Sequence, residues 1–227
     1  MRLISDFLSL FYPENCVACR RALYLHENEI CNQCFVQLPK TGFYALRNNA
    51  VEQLFWGRTP VYSAAAYLYF HKGSRVQKIL HALKYSGRIG VGLVIGERFG
   101  EHLMYEPAFN TCQGIIPVPL HKKREKERGY NQSLCFAQGL SKKMKIPVLE
   151  KSLIRTEYTG TQTKNTKFSR WENVESLFQC RDKKALSNKH LLLVDDVITT
   201  GATLEACCSA LMEVPGIKIS IASIAFA

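Results

Sequence analysis

The sequence lacks a long apolar run, a secretory signal and an internal repeat. A helix that crosses a bilayer needs about 20 consecutive apolar residues, so we expect no transmembrane segment. Residues 1–12 carry apolar side chains at helical spacing, but Asp6 interrupts them. This segment therefore predicts a short amphipathic helix packed on the protein, with a weak membrane-surface anchor as the alternative.

The cysteines do not form the even set that is typical of a secreted disulfide scaffold. The chain has nine of them, and an odd number without a signal peptide favours a reducing compartment. We therefore expect a cytoplasmic protein. Five cysteines show no metal-ligand spacing and are expected to be small buried hydrophobes; they are Cys112, Cys135, Cys180, Cys207 and Cys208.

Acidic residues are scarce relative to basic ones. The chain has 30 Lys and Arg against 19 Asp and Glu, which gives a formal net charge of +11. Residues 121–190 hold 17 of these basic residues and 7 of the acidic ones, an excess of +10. Such a stretch is expected to attract a polyanion, either nucleic acid or the pyrophosphate of a substrate. A solvated basic surface that only aids solubility is the alternative.

Four cysteines form two C-x-x-C pairs near the start of the chain. Cys16 pairs with Cys19 and Cys31 with Cys34, with eleven residues between the pairs. Each pair directs two thiolates at one ion, and four sulfur ligands favour a closed, structural Zn²⁺ site over an iron–sulfur cluster. A redox-active dithiol is the main competing interpretation.

The stretch 191–203 reads LLLVDDVITTGAT and carries the strongest functional signal. Its aliphatic start predicts a buried strand of a parallel sheet. Asp195 and Asp196 then lie at the carboxyl end of the strand, where open α/β sheets bind ligands. Carboxylates suit vicinal hydroxyls, and the loop that follows suits a phosphate at a helix N-terminus. Together they predict a ribose 5-phosphate site whose phosphate loop consists of Thr199, Thr200, Gly201, Ala202 and Thr203.

The rest of the chain alternates between strand and helix patterns. At 227 residues it can form one core with a smaller appendage. The alternation predicts an α/β fold with an open, mostly parallel sheet flanked by helices. Strands are expected at 61–70, 114–120, 191–197 and 217–226, and helices at 74–85, 94–104, 130–145 and 204–213, with Ser74 as an N-cap.

We place a domain boundary near residue 55. Residues 39–59 mix glycine, asparagine and aromatic residues without a clean period, and we interpret them as a connector. The expected domains are a zinc-binding module with the N-terminal helix at 1–55 and an α/β domain at 56–227.

Two further segments look functional. Residues 121–128, HKKREKER, follow a strand end and precede Gly129, which predicts a mobile basic loop that closes over an anionic substrate. A solvated run of charge is the alternative. Lys84 lies at a helix end beside a glycine turn, and by itself it is equally consistent with a solvent-facing side chain or with a complement to the helix dipole.

The chain resembles two nested families. The 191–203 stretch resembles the signature of type I phosphoribosyltransferases, which bind phosphoribosyl pyrophosphate (PRPP). With the paired C-x-x-C, LKYSGR, PVPLHKKREKERGYNQS and TQTKNTKFSRWENV, almost the whole chain resembles the competence protein F (ComF) family. The family usually has Phe where this chain has Tyr130.

The resemblance implies roles for particular residues. Asp195 and Asp196 would hold the ribose hydroxyls, and Thr199–Thr203 the 5-phosphate. Lys84 would belong to a loop that contacts the pyrophosphate. The loop above the site would contain Arg124, Arg128, Tyr130, Asn131 and Gln132, and a block of uncertain chemistry would contain Thr161, Gln162, Thr163, Arg170 and Asn173.

The resemblance also implies an activity. With Mg²⁺ and PRPP bound, pyrophosphate on the ribose C1 would be displaced by a nitrogen nucleophile, with Lys84, Arg124 and Arg128 as the catalytic residues. No side chain has to attack, which agrees with the lack of a convincing nucleophile–base pair. The rival hypothesis is a non-catalytic factor in DNA uptake that handles single-stranded DNA, works with other uptake proteins and uses PRPP only as a ligand.

Overall fold

The computed structural model describes residues 14–156 and 177–227. The helix expected at 1–12 lies outside these residues, and so does the block that contains Thr161, Gln162, Thr163, Arg170 and Asn173. The described strands are β1 (Ser63–Tyr69), β2 (Gly114–Pro117), β3 (Leu153–Arg155), β4 (Phe178–Cys180), β5 (His190–Ile198) and β6 (Lys218–Phe226). The helices are α1 (Asn32–Gln37), α2 (Ala50–Gln53), α3 (Arg75–Tyr85), α4 (Ile89–Leu103), α5 (Lys122–Arg128), α6 (Gln132–Met144), α7 (Lys183–Leu186) and α8 (Ala202–Met212).

Four strands form one parallel sheet in the order β1-β6-β5-β2. The expected α/β fold with a parallel sheet and flanking helices is therefore confirmed. Residues 191–194 of β5 are fully buried because the strand lies between two others and both of its faces are covered. Strands β3 and β4 form a separate antiparallel pair.

The helices confirm most of the sequence pattern. The Ser74 side chain accepts a hydrogen bond from the Gln77 backbone N–H and so caps α3 as expected. Helix α4 begins at Ile89, five residues before the expected start. Gly87, Gly90 and Gly92 suggested a join before this helix, but Gly90 and Gly92 lie inside it. Gly92 and Gly96 lie against α6, where a Cβ on Gly96 would come within 2.4 Å of the Phe136 carbonyl oxygen. Close helix packing rather than chain reversal explains these glycines.

The basic segment is a helix and not the loop that we expected. The His121 side chain accepts a hydrogen bond from the Lys123 N–H at 3.2 Å and caps α5 at its start. Gly129 ends the helix in the left-handed conformation, with φ of 78°. None of the seven residues of α5 is buried, so no apolar period marked this helix in the sequence.

Our interpretation of residues 39–59 as a connector is also wrong. The segment contains a 3₁₀ turn (Phe43–Ala45) and α2, and Phe43, Val51 and Phe55 are buried in the main core. Asn49 anchors it, since its side chain caps α2 and donates to the Ala64 carbonyl of β1 at 2.9 Å. The proposed boundary near residue 55 stays a prediction.

Residues 14–38 form a small four-cysteine module that packs on the body of the protein. Isolated bridges join Asn15 to Ala22 and Asn28 to Ile30, and α1 follows. Ile30 is 1% exposed and belongs to the same core as the sheet. Over the ranges 14–156 and 177–227, the helices are too short or too polar to cross a membrane.

Candidate functional site

The two aspartates at the carboxyl end of β5 have different partners. The Asp195 carboxylate accepts hydrogen bonds from the Ser133 hydroxyl at 2.9 Å and from the Asp196 N–H at 2.8 Å. Asp196 Oδ2 lies 3.1 Å from Lys84 Nζ in a largely buried ion pair. Asp195 is thus fixed against α6, whereas Asp196 joins β5 to the end of α3.

Burial and the neighbouring Asp196 carboxylate raise the pKa of Asp195 to about 7. In the unfolded chain this carboxyl has its ordinary pKa near 3.8. Between these values the folded state binds more protons than the unfolded state, so the free energy of unfolding falls as pH rises from about 4 to about 7.

Asp195→Asn is therefore expected to stabilise the protein above pH 7, by on the order of 2 kcal/mol, and to flatten this pH dependence. The amide still accepts the two hydrogen bonds but cannot carry the charge. Urea unfolding between pH 4 and 9 measures the effect. Asp182→Asn serves as the control, because Asp182 is an exposed cap of α7 and asparagine caps equally well. Equal pH profiles for the two variants would contradict the prediction.

The expected phosphate loop, Thr199–Thr203, follows β5 and leads into the start of α8. Gly201 is the N-cap of α8 with φ of 78°, and no side chain caps this helix. The Ala202 N–H lies 3.5 Å from the Thr200 hydroxyl oxygen, and the N–H groups that follow it in the first turn are available to an anion. The flanking residues Thr199, Thr200, Ala202 and Thr203 are exposed.

The segment before β1 supports this loop. A Cβ on Gly201 would come within 3.2 Å of the Phe55 ring. The Arg58 guanidinium donates to the Thr200 carbonyl at 3.3 Å and pairs with Glu205 of α8 at 2.7 Å. Neither residue was identified from the sequence, because both lie more than 140 positions from their partners.

Lys84, Arg124 and Arg128 are brought together in one cleft of about 450 Å³. Its other lining residues are Tyr85, Gly87 and Glu127. The Arg128 guanidinium lies 5.3 Å from the centre of the Tyr85 ring. The cleft lining does not reach the phosphate loop; the Lys84–Asp196 ion pair is the contact that joins the two parts of the site.

The corner between α5 and α6 holds the cleft in place. The Tyr130 hydroxyl donates to the Leu83 carbonyl, next to Lys84. Asn131 donates to the Val118 carbonyl at 3.0 Å and accepts from the Ser133 N–H at 3.0 Å. Of the residues placed here by resemblance, Tyr130 and Asn131 thus position the site. Ser133, the last residue of the quoted GYNQS run, was missed and contacts Asp195 directly.

The four module cysteines form a compact cluster. Their sulfur atoms all lie within 4.8 Å of one another, and Cys19 Sγ is 3.8 Å from Cys31 Sγ. A tetrahedral site with Zn–S bonds of about 2.3 Å places neighbouring sulfurs about 3.8 Å apart. The cluster therefore fits a four-coordinate structural metal ion, held by Cys16, Cys19, Cys31 and Cys34.

The remaining cysteines are buried, as expected from the sequence: Cys112, Cys135, Cys180, Cys207 and Cys208. Burial raises the pKa of Cys112, Cys135 and Cys208, so these thiols are poor nucleophiles. They are packing residues.

Comparison with known proteins finds similar sequences. Residues 131–227 match the phosphoribosyl transferase domain model. The chain is 27% identical to competence protein F of Haemophilus influenzae over 212 residues, which cover 86% of this chain and 89% of that protein. It is 35% identical to competence protein ComFC of Bacillus subtilis over 44% of this chain and 38% of that one.

A third relative is the DNA utilization protein YhgH of Escherichia coli, 28% identical over 60% of each chain. The chain is thus similar to the ComF competence proteins, and its residues 131–227 are similar to the phosphoribosyl transferase domain.

Proposed function

We propose that this protein binds PRPP with Mg²⁺ and transfers the phosphoribosyl group to a nitrogen acceptor. One observation carries the proposal: adjacent aspartates at the end of β5 lead into the uncapped N-terminus of α8, and Asp196 is paired with a lysine that lines a cationic cleft. In this arrangement the carboxylates suit the hydroxyl groups of a ribose, the helix N-terminus suits a phosphate, and the basic side chains suit a pyrophosphate.

The aspartates would hold the ribose hydroxyls and the loop at Thr199–Thr203 the 5-phosphate. Lys84, Arg124 and Arg128 would stabilise the negative charge that develops on the departing pyrophosphate. Asp195 and Asp196 supply the oxygen ligands that suit Mg²⁺, and the ion would neutralise part of the pyrophosphate charge when bound.

In the reaction, the bond between the ribose C1 and the pyrophosphate oxygen breaks, and the oxygen leaves with the electron pair. A bond forms between C1 and the acceptor nitrogen, which then loses a proton to water. The cationic side chains would lower the barrier because they stabilise the negative charge on the leaving pyrophosphate. The bound ribose would be held in the orientation that the acceptor needs, which lowers the barrier further. The side chains of the site need supply no nucleophile.

The double variant Asp195→Ala, Asp196→Ala tests this site. We expect PRPP with Mg²⁺ to raise the melting temperature of the unaltered protein, because a ligand that binds only the folded state stabilises it by mass action. The double variant is expected to lose at least about nine-tenths of this rise at saturating ligand, because it lacks both carboxylates that would accept hydrogen bonds from the ribose hydroxyls. Differential scanning fluorimetry measures both.

Glu213→Gln is the matched control, because this exposed carboxylate pairs with Lys183 beyond the far end of α8. It should show the full rise. An undiminished rise in the double variant would refute the assignment of the aspartates, and no rise in the unaltered protein would refute PRPP binding.

We further propose that the metal in the four-cysteine module is Zn²⁺ with a structural role. Support comes from the sulfur-only ligand set and its tetrahedral spacing. Four ligands leave no open position for a catalytic water. A thiolate site also needs a reducing environment, which supports a cytoplasmic location.

A second candidate function is a DNA-handling role in which PRPP is a ligand and not a substrate. The exposed helix α5 favours it, since five of its seven residues are basic and none is buried. The names of the relatives, competence and DNA utilization proteins, point the same way. Release of pyrophosphate from PRPP across candidate acceptors separates the two functions, because only the transferase releases it.

A further inference from the structure

A single arginine joins the segment before β1 to the loop at Thr199–Thr203. Arg58 Nη2 donates to the Thr200 carbonyl at 3.3 Å and lies 2.7 Å from Glu205 Oε2. The two partners lie on either side of Gly201, since Thr200 precedes it and Glu205 is in the first turn of α8. One nitrogen atom of the guanidinium therefore links the loop to the helix that follows it.

Glu205 is by itself unfavourable for an anion at this loop. It is the acidic residue in the first turn of α8, where the N–H groups at the start of the helix attract a phosphate. A carboxylate in the same turn repels a phosphate when no cation lies beside it. The ion pair with Arg58 offsets this charge, so the attraction of the helix N-terminus for an anion is kept.

The contact with Thr200 sets the direction of the loop backbone. The Thr200 carbonyl and the Gly201 N–H belong to one peptide unit, which is planar and trans, so they point in opposite directions. Because Arg58 holds the carbonyl, the Gly201 N–H points away from Arg58. Within residues 14–156 and 177–227 this N–H has no hydrogen-bond acceptor. It is therefore available to a ligand.

The turn that carries Arg58 is itself fixed against the loop. Phe55 is 1% exposed, and its carbonyl accepts a hydrogen bond from the Arg58 backbone N–H at 3.1 Å. A Cβ on Gly201 would come within 3.2 Å of the Phe55 ring and 3.9 Å of Arg58 Nη2. The guanidinium thus reaches the loop from a rigid base, which keeps its two contacts in place.

From these contacts we infer that Arg58 is a positioning residue for the 5-phosphate of the ligand. It neutralises Glu205 and holds the Thr200 carbonyl away from the ligand, so that the loop presents N–H groups to a phosphate monoester. The inference rests on the proposed PRPP site, because it concerns the phosphate end of that ligand. It also gives a function to the segment 39–59, which we had interpreted as a connector.

Isothermal titration calorimetry of the full chain with ribose 5-phosphate tests this role. Arg58→Ala is expected to weaken binding about fivefold or more, because Glu205 loses its counter-charge and the Thr200 carbonyl loses its donor. Binding of pyrophosphate with Mg²⁺ should not change, since that ligand would occupy the Lys84 cleft. A loss of the same size for both ligands, or for neither, would overturn the inference.

Arg47→Ala is the matched control. Arg47 lines the same cavity of about 400 Å³ as Arg58 and also pairs with a glutamate, Glu52, at 3.5 Å. Its guanidinium donates to the Tyr62 carbonyl before β1 and not to the loop. This variant should keep the full affinity for ribose 5-phosphate. A loss as large as that of Arg58→Ala would count against a specific role of Arg58.

Two further variants test whether the charge of Arg58 matters. Both side-chain contacts of Arg58 use one nitrogen atom, so the ammonium of Arg58→Lys should recover most of the lost affinity. Arg58→Ala combined with Glu205→Gln should bind more tightly than Arg58→Ala alone, because the unpaired carboxylate is gone. If neither change improved on Arg58→Ala, the inference would be wrong.

Failure of Arg58 and failure of the PRPP site give different results. If the unaltered protein binds ribose 5-phosphate and Arg58→Ala binds it equally well, the role of Arg58 alone is rejected and the rise in melting temperature with PRPP stands. If the unaltered protein binds neither ribose 5-phosphate nor PRPP, the PRPP site is rejected, and the role of Arg58 is rejected with it.

Discussion

Gly139→Ala is expected to destabilise the protein by about 3 kcal/mol, although alanine is the better helix former. Gly139 lies in α6 against α4, and a Cβ there would come within 2.2 Å of the Leu93 carbonyl oxygen and 2.9 Å of Gly96 Cα. Both are backbone atoms, so no side-chain rotation relieves the clash and the two helices must separate. Urea unfolding at pH 7 measures the loss.

Gln138→Ala is the control for this variant, because Gln138 is the adjacent, exposed residue of the same helix. Its substitution should change the free energy of unfolding by only a few tenths of a kcal/mol. The Gly139 variant should also bind PRPP more weakly, since α6 carries Ser133 to Asp195. Equal stability of the two variants would contradict the close packing of α4 and α6.

Removal of the metal from the four-cysteine module is expected to cost on the order of 5 kcal/mol or more of folding free energy. Cys16, Cys31 and Cys34 are almost fully buried in the core that the module shares with the sheet. Without the ion these buried thiols lose their common partner, and the loss extends to the neighbouring core. Denaturation with and without a strong chelator measures the effect.

Cys31→Ala should reproduce the effect of the chelator, whereas Cys135→Ala, at a buried cysteine outside the module, should cost much less. Elemental analysis of the unaltered protein is expected to find about one zinc ion per chain. Chelator-independent stability, or natively purified protein without metal, would contradict a structural metal site.

The parts that the sequence predicted depend on local patterns. The aliphatic run of β5 predicted a buried strand because every side chain in it is apolar. Ser74 predicted the start of α3 because the backbone N–H that it caps is only three residues away. The cysteine spacing likewise brings four sulfurs together, through the turn at 16–19 and the first turn of α1. In each case the interacting groups are close in sequence, or the pattern repeats with the period of the element.

The parts that the sequence did not predict depend on contacts between distant residues. Ser133 meets Asp195 across 62 positions, and Arg58 meets Glu205 across 147. Phe55 lies in a segment with no regular sequence pattern, so the sequence did not reveal that its ring packs against Gly201. Helix α5 was missed for a different reason, because an exposed, highly charged helix has no apolar face to reveal its period.

The strand order also has a consequence for how the chain folds during synthesis. Strand β1 pairs with β6, and no other strand of the described sheet lies beside it. These partners are separated by about 150 positions, so β1 leaves the ribosome long before the strand that completes it. Until residues 218–226 emerge, the backbone groups of β1 that later pair with β6 have no partner, and the apolar strand can associate with other unfolded segments. The nascent chain should therefore depend on chaperones until its final strand is made.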